Sequence, residues 1–380
     1  MNAGSTFAGA LVTVLLLSVC LPSQTAAEAL ALQDQGHLPE AAAAWRAVIA
    51  RNPSDAGALA SLGVILSRQQ KYAEAATAYR KALALDGKLP GVKLNLGLAE
   101  FKQGHFGPAA AALKGAVDDD PKSTQAQTLL GLSYYGGRKF VLADRYLKPV
   151  AMADPSNAEL HQTLAQSCLW AKDYPCALEE FRQLLQQSPN SASAHELMGE
   201  ALDGLGRTEE AITEFETAAK ASPNEPNVHF GLGYLYWKSQ QYGKAGQEFR
   251  RELTVDSSNA QALAYSGDVE WKDNHPQAAL PLLKRAVQSN QSLRIAWMDL
   301  GAIYVEQKDY KQAQVALERA AALDPGLSDA HYQLARLYQA QGNAAAAHTE
   351  LRKVQALHQR ADETLARKMA AAPPDLNLHP

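Results

Sequence analysis

Shifting the sequence against itself by 34 residues places alanine on alanine at 41, 75, 109, 143, 177, 211, 245, 279, 313 and 347. A register kept over that length constrains the fold before any local propensity is weighed, because self-similarity at about 20–50 residues marks stacked supersecondary units. Twelve residues before each alanine, from the second onward, stands a small residue: Gly63, Gly97, Gly131, Ala165, Gly199, Gly233, Gly267, Gly301 and Ala335. Four residues after each alanine stands a larger apolar one: Trp45, Tyr79, Leu113, Leu147, Phe181, Phe215, Phe249, Leu283, Leu317 and Leu351. Prolines at 53, 121, 155, 189, 223 and 325 close six of the units.

Each half of a unit spaces its apolar residues by three and four, as a helix with one buried stripe does. The small residue of the first helix and the alanine of the second allow two antiparallel helices to approach closely. The larger side chain then fills the space toward the neighbouring pair. Proline between Asp or Ser and a capping residue, as in Asp154-Pro155-Ser156-Asn157, stops one pair and starts the next. A single pair cannot bury its own stripe, so the pairs must stack. The expected class is all-α.

These residues resemble the tetratricopeptide repeat pattern: Leu-Gly in the first helix, an aromatic near the turn, Ala and an aromatic in the second helix. Leu62-Gly63, Tyr72, Ala75, Tyr79 and Ala82 fill those slots. The resemblance covers residues 22–361 in ten gapless units starting near 22, 56, 90, 124, 158, 192, 226, 260, 294 and 328. Departures are local: Ser266 replaces Leu, Thr208 and Pro276 replace the turn aromatic, and Gly87, Ser257, Gln291 and Gln359 replace the closing Pro. The resemblance implies a right-handed superhelix whose first helices line a concave face that binds peptides or proteins. Some members clamp a C-terminal carboxylate with a Lys/Asn/Arg set. Only Asn95 falls in such a slot here, which argues against chaperone-tail binding.

The ends differ from the repeat. Leu11 to Leu21 is mostly apolar and leads through Pro22 to Thr25-Ala26-Ala27. It is too short to span a bilayer, which needs about 20 apolar residues. It reads as a secretory signal, residues 1–27, cut after Ala27 or Ala29, although the first ten residues lack Lys and Arg. The expected location is therefore periplasmic or secreted, in a bacterial setting, with outer-membrane association as the alternative. Once the signal is removed, no transmembrane span is expected. Val19 occupies the place a lipobox gives to Gly, Ala or Ser, which argues against a lipid anchor at Cys20. At the other end, residues 344–370 are expected to form one capping helix with Leu351, Val354, Leu357 and Leu365 buried, and 362–380 to close that helix and run into a disordered tail.

No catalytic domain fits. The ten units leave only residues 362–380, and no phosphate-loop, zinc-protease or nucleophile-elbow motif occurs. No enzyme activity, cofactor or metal site is expected. With 36 Lys+Arg against 40 Asp+Glu, a nucleic-acid partner is not expected either. His161, His195, His229 and His331 share one register, where a large side chain packs between helices rather than converging on a metal. Cys168 and Cys176 face each other across one hairpin, either as two buried thiols or as a disulfide.

Binding residues are sought on unit positions 5, 9 and 12, a stripe about 120° from the packing stripe of the first helix. It carries Leu94, Leu98 and Phe101, then Leu132 and Tyr135, then the acidic step Glu196, Glu200 and Asp203, then Phe230, Tyr234 and Trp237, then Trp271. Trp170 lies one place beside it, and Lys102, Lys238 and Lys272 each follow an aromatic. Curvature could bury these rings as core. We favour the other reading, two aromatic patches flanking an acidic step, because aromatic side chains with a polar rim suit a protein or peptide partner. On that reading Trp237 is solvated and continuous with Trp271.

Overall fold

The computed structural model describes residues 25–371, and all regular elements among them are α-helices. Leu11 to Leu21, Cys20 and the tail beyond residue 371 lie outside the described residues. The chain divides into two compact units, residues 1–160 and 161–380. The first holds α1 (Ala26–Asp34), α2 (Leu38–Arg51), α3 (Ala56–Arg68), α4 (Tyr72–Leu85), α5 (Val92–Lys102), α6 (Phe106–Asp119), α7 (Thr124–Gly136) and α8 (Phe140–Ala153). From α9 (Ala158–Trp170) the chain continues through α10 (Tyr174–Gln187), α11 (Ala192–Gly204), α12 (Thr208–Ala221), α13 (Val228–Lys238) and α14 (Tyr242–Val255). It ends with α15 (Ala260–Lys272), α16 (Pro276–Ser289), α17 (Arg294–Glu306), α18 (Tyr310–Leu323), α19 (Asp329–Ala340) and α20 (Ala344–Ala371).

Three residues join the two helices of a pair, and a connection that short makes them antiparallel neighbours. The middle residue of each turn has positive φ. It is Gly at 36, 104, 206 and 342, but Gln70, Arg138, Lys172, Gln240, Asn274 and Lys308 take the same left-handed conformation without its freedom. The turn geometry is thus imposed by helix packing rather than by local preference.

The repeated alanines at 41, 75, 109, 143, 177, 211, 245, 279 and 313 are all fully buried. The small residue opposite is equally constrained: a Cβ on Gly63 would stand 2.5 Å from the Tyr79 ring, and one on Gly199 2.6 Å from Phe215. Any larger residue would push the pair apart, so the small-residue register and the large residue four places after alanine are one interlock.

Proline adjusts the frame. Pro90 and Pro226 hold the first place of their units, so α5 and α13 start two residues later than α3 or α7 and have 11 residues. α1 begins at Ala26, capped by Thr25 and Glu28, two residues inside the segment expected to be a signal; Ala29 is its one buried residue. α20 corrects one expectation. Leu351 is exposed, Val354 and Leu357 are only half-buried, and the side chain of Leu365 lies outside the described residues. α19 offers just 12 residues to pack against, so the distal part of the 28-residue α20 has no facing helix among the described residues. Cys168 on α9 and Cys176 on α10 form a disulfide, Cα to Cα 5.8 Å, rather than two separate thiols.

Candidate functional site

α11, α13 and α15 are first helices of consecutive pairs and touch in sequence. They enclose a cleft of about 420 Å³. Glu196, Glu200 and Asp203 form one wall, Phe230, Gly231 and Tyr234 the other, and Phe215 and Leu235 lie beneath, with Asn227 and Gln261 at the rim.

The N-terminus of α13 sets the position of the aromatic wall. Asn227 precedes the helix with φ of 72°, a conformation in which its side chain makes no cap bond. The carboxylate of Glu252, fully buried on α14, takes over: it accepts from the backbone N–H of Asn227 at 2.9 Å and of Phe230 at 3.2 Å, and from the Asn259 amide at 3.0 Å. A carboxylate at a helix N-terminus satisfies free donors and complements the helix dipole. Gly231 is equally constrained, because a Cβ there would stand 2.3 Å from the Phe215 ring.

The acidic wall is charged against its own preference. Burial pushes the Glu196 carboxyl up to about 7, and Glu200, Glu225 and Glu252 add to the shift. Burial also raises Glu200 above the usual carboxylate range. Lys238 neutralises only the Asp203 end of this wall, its Nζ donating to Asp203 at 2.7 Å. Among the described residues, no cation lies within ion-pair distance of Glu196 or Glu200.

Beside the cleft lies an aromatic cluster with Tyr265 at its centre. Its ring centroid is 5.0 Å from Trp237, 5.5 Å from Tyr234, 5.9 Å from Phe230 and 5.7 Å from Phe249. Burial, then Tyr234 and Asp268, push the Tyr265 hydroxyl up to about 12, so it stays protonated. Trp237 is half-buried, not solvated as expected: it stacks on Tyr234 and its Nε1 donates to buried Asp268 at 2.5 Å. Lys272 also bonds Asp268 and lies over the Trp237 ring, 5.3 Å from its centroid. Burial and the Asp268 carboxylate raise Asp299 well above the usual carboxylate range.

Among the residues singled out from sequence, the structure therefore joins Glu196, Glu200, Asp203, Phe230 and Tyr234 in one cleft, with Lys238 bound to Asp203 and Trp237 and Lys272 nearby. Trp271 does not continue that surface. It is half-buried against the core of α15–α17 that holds Leu263, Leu300 and Ile303, while Lys272 lies over the Trp237 ring. In the first unit, Leu98 is half-buried and Phe101 covers its own hairpin, edge-on to Phe106 at 5.8 Å. Tyr135 is half-buried with Phe140 6.1 Å away, and Trp170 on α9 is exposed. Asp268 stood on the searched stripe but was not singled out there. Tyr265 and Asp299, at unit position 6, were not legible, because only inter-repeat packing turns that position toward the stripe.

The registered histidines are clasps. Nδ1 of His161, His195, His229 and His331 each meets the glutamate 19 residues on, Glu180, Glu214, Glu248 and Glu350, at 2.5–2.7 Å. Among the described residues, no group of three or more His, Cys, Asp and Glu could hold a metal ion, and no helix is long and apolar enough to cross a membrane.

A family model described as tetratricopeptide repeat matches residues 26–90, 163–226, 196–262 and 266–328, and a second model with that description matches 66–132 and 304–372. No curated protein matches the chain. Among solved structures, the chain is similar to the APC/C hetero-tetramer Cut9–Hcn1, with a TM-score of 0.51 and 14% identity over 87% of this chain and 80% of that one. At that identity the likeness shows the fold alone. Another similar structure is YrrB, described as a TPR protein with an unusual peptide-binding site, with a TM-score of 0.41 and 23% identity over 51% of this chain and all of that one.

Proposed function

Because the chain belongs to the tetratricopeptide repeat family, we propose that it is an exported, non-enzymatic scaffold that seats a protein or peptide segment in the cleft between α11, α13 and α15. One observation carries the binding site: an aromatic wall of Phe230 and Tyr234 faces two carboxylates, Glu196 and Glu200, that no side chain neutralises. Unpaired carboxylates, Glu196 half-buried and Glu200 exposed, beside two half-buried rings are organised for an outside partner. Phe230 and Tyr234 are the anchors in this reading, and Glu196 and Glu200 orient the segment.

Export rests on the apolar run Leu11 to Leu21 before Ala26-Ala27, and on the Cys168–Cys176 bridge, which suits an oxidising compartment. Cell fractionation with N-terminal sequencing tests it: a mature chain starting near Glu28 or Leu30 supports export, and an intact Met1 refutes it. The cleft is tested by affinity capture from the native host with the full chain and with Tyr234→Ser. Partners lost in the variant support the cleft. Retention of every partner points instead to a structural subunit of an envelope assembly that uses other surfaces.

A further inference from the structure

Resting on the reading of this cleft as a peptide site, we propose that the seated segment presents an arginine side chain, its guanidinium held between the carboxylates of Glu196 and Glu200 and the ring of Tyr234. Charge complementarity comes first. Three other acidic groups around the cleft already have partners: Asp203 holds Lys238, Asp268 holds Lys272, and Glu252 is occupied by the donors at the start of α13. Of the carboxylates that line the cleft, Glu196 and Glu200 are left without a cation, and exposed Glu225 before α13 adds to their negative field. An acidic or phosphorylated segment would add like charge to a wall already held under repulsion.

The opposite wall narrows the choice of cation. Phe230 and Tyr234, with ring centroids 6.4 Å apart and tilted by 30°, form one side of the cleft. A cation against such faces gains from the ring quadrupole. Guanidinium is planar, weakly hydrated and carries five donors, so it can stack on a ring and serve two carboxylates together; an ammonium is a strongly hydrated point charge that does this less well. The amides of Asn227 and Gln261 at the rim suit the backbone on either side.

The titration of Glu196 supports the same geometry. The groups facing it are Glu200 on its own helix, Asp203 with its partner Lys238, Tyr234 on α13, Glu225 before α13 and Glu252 on α14. Below about pH 7 Glu196 takes up a proton, and the cleft loses part of the charge that would hold the cation.

The test uses the full chain and four blocked peptide pools, Ac-Xaa-Xaa-Z-Xaa-Xaa-NH2, with Z fixed as Arg, Lys, Gln or Asp, measured by calorimetry at pH 8 and pH 5.5. The Arg pool should bind about tenfold tighter than the Gln pool at pH 8, with Lys between them. That advantage should shrink at pH 5.5 and vanish in the Glu196→Gln/Glu200→Gln double variant, whose helical circular dichroism should match the wild type. Tyr234→Leu should remove the preference for Arg over Lys. If the Gln or Asp pool binds as well as Arg, and Tyr234→Ser abolishes that binding, the arginine assignment is overturned while the peptide site stands. If no pool binds the wild-type chain, both readings fall.

Discussion

Trp237→Ala should destabilise the α13–α15 region by about 3 kcal/mol, and Trp237→Phe by about half of that. The working starts from what the indole touches. Its ring stacks on Tyr234 at 6.0 Å and meets Tyr265 edge-on at 5.0 Å. Such pairs are worth about 0.5–1.5 kcal/mol each beyond their buried area. Its N–H donates to the buried Asp268 carboxylate, and bonds to charged groups contribute about 1.5–3 kcal/mol. Asp268 keeps Lys272, so the low end of that range applies. Alanine loses the pairs and the bond, whereas phenylalanine keeps a ring and loses only the donor. Long repeat arrays do not unfold in one step, so the assay is native-state hydrogen exchange of α13 and α15 in the full chain, read as local opening free energies. Full protection in Trp237→Phe, with less than about 1 kcal/mol lost in Trp237→Ala, would refute the assignment of this indole as a donor that holds α13 to α15.

Glu252→Ala should cost about 2–4 kcal/mol locally, because the start of α13 loses its only carboxylate cap and Asn227 cannot replace it; exchange at the first turn of α13 reports it. Glu196 is a carboxyl whose folded value, about 7, lies above its unfolded one. The folded chain therefore holds more protons than the unfolded chain between about pH 4.5 and pH 7, and wild-type stability falls across that window. Glu196→Gln should remove that fall and be more stable than wild type at pH 8, by about 1 kcal/mol after allowance for water screening a part-exposed group; hydrogen exchange of α11 at pH 5 and pH 8, read as local opening free energies, checks the difference. Arg138→Gly relieves a left-handed turn residue at φ of 56° and should raise the local stability of the α7–α8 pair by up to about 1 kcal/mol, read by hydrogen exchange of those helices.

The helix pairs were legible because one interlock, Ala75 with Gly63 and Tyr79 and its equivalents, recurs at a fixed spacing and leaves a single way to pack. Glu200, Phe230 and Tyr234 were legible for a related reason: i, i+4 spacing on a first helix places a side chain on one face whatever its neighbours do. Trp237 and Trp271 were misjudged because a helical wheel treats each repeat as isolated. Their burial depends on Tyr265 and Asp268 of the next pair, and on the close approach of α15 to α17. The cap from Glu252 to Asn227 was invisible in sequence because it spans 25 residues and arises only after Pro226 has delayed the start of α13. The reach of α20 was overestimated because apolar spacing shows which face could be buried, not whether a partner is there.

The central claim is that the α11–α13–α15 cleft seats a partner, and site-specific photo-crosslinking in the native host tests it most directly. A benzophenone side chain would replace Tyr234 in the cleft or, as the control, exposed Gln247 on α14. The account predicts a discrete adduct from position 234 that disappears when Glu196→Gln and Glu200→Gln are added, and none of that size from position 247. Adducts from position 247 with none from position 234 would contradict it.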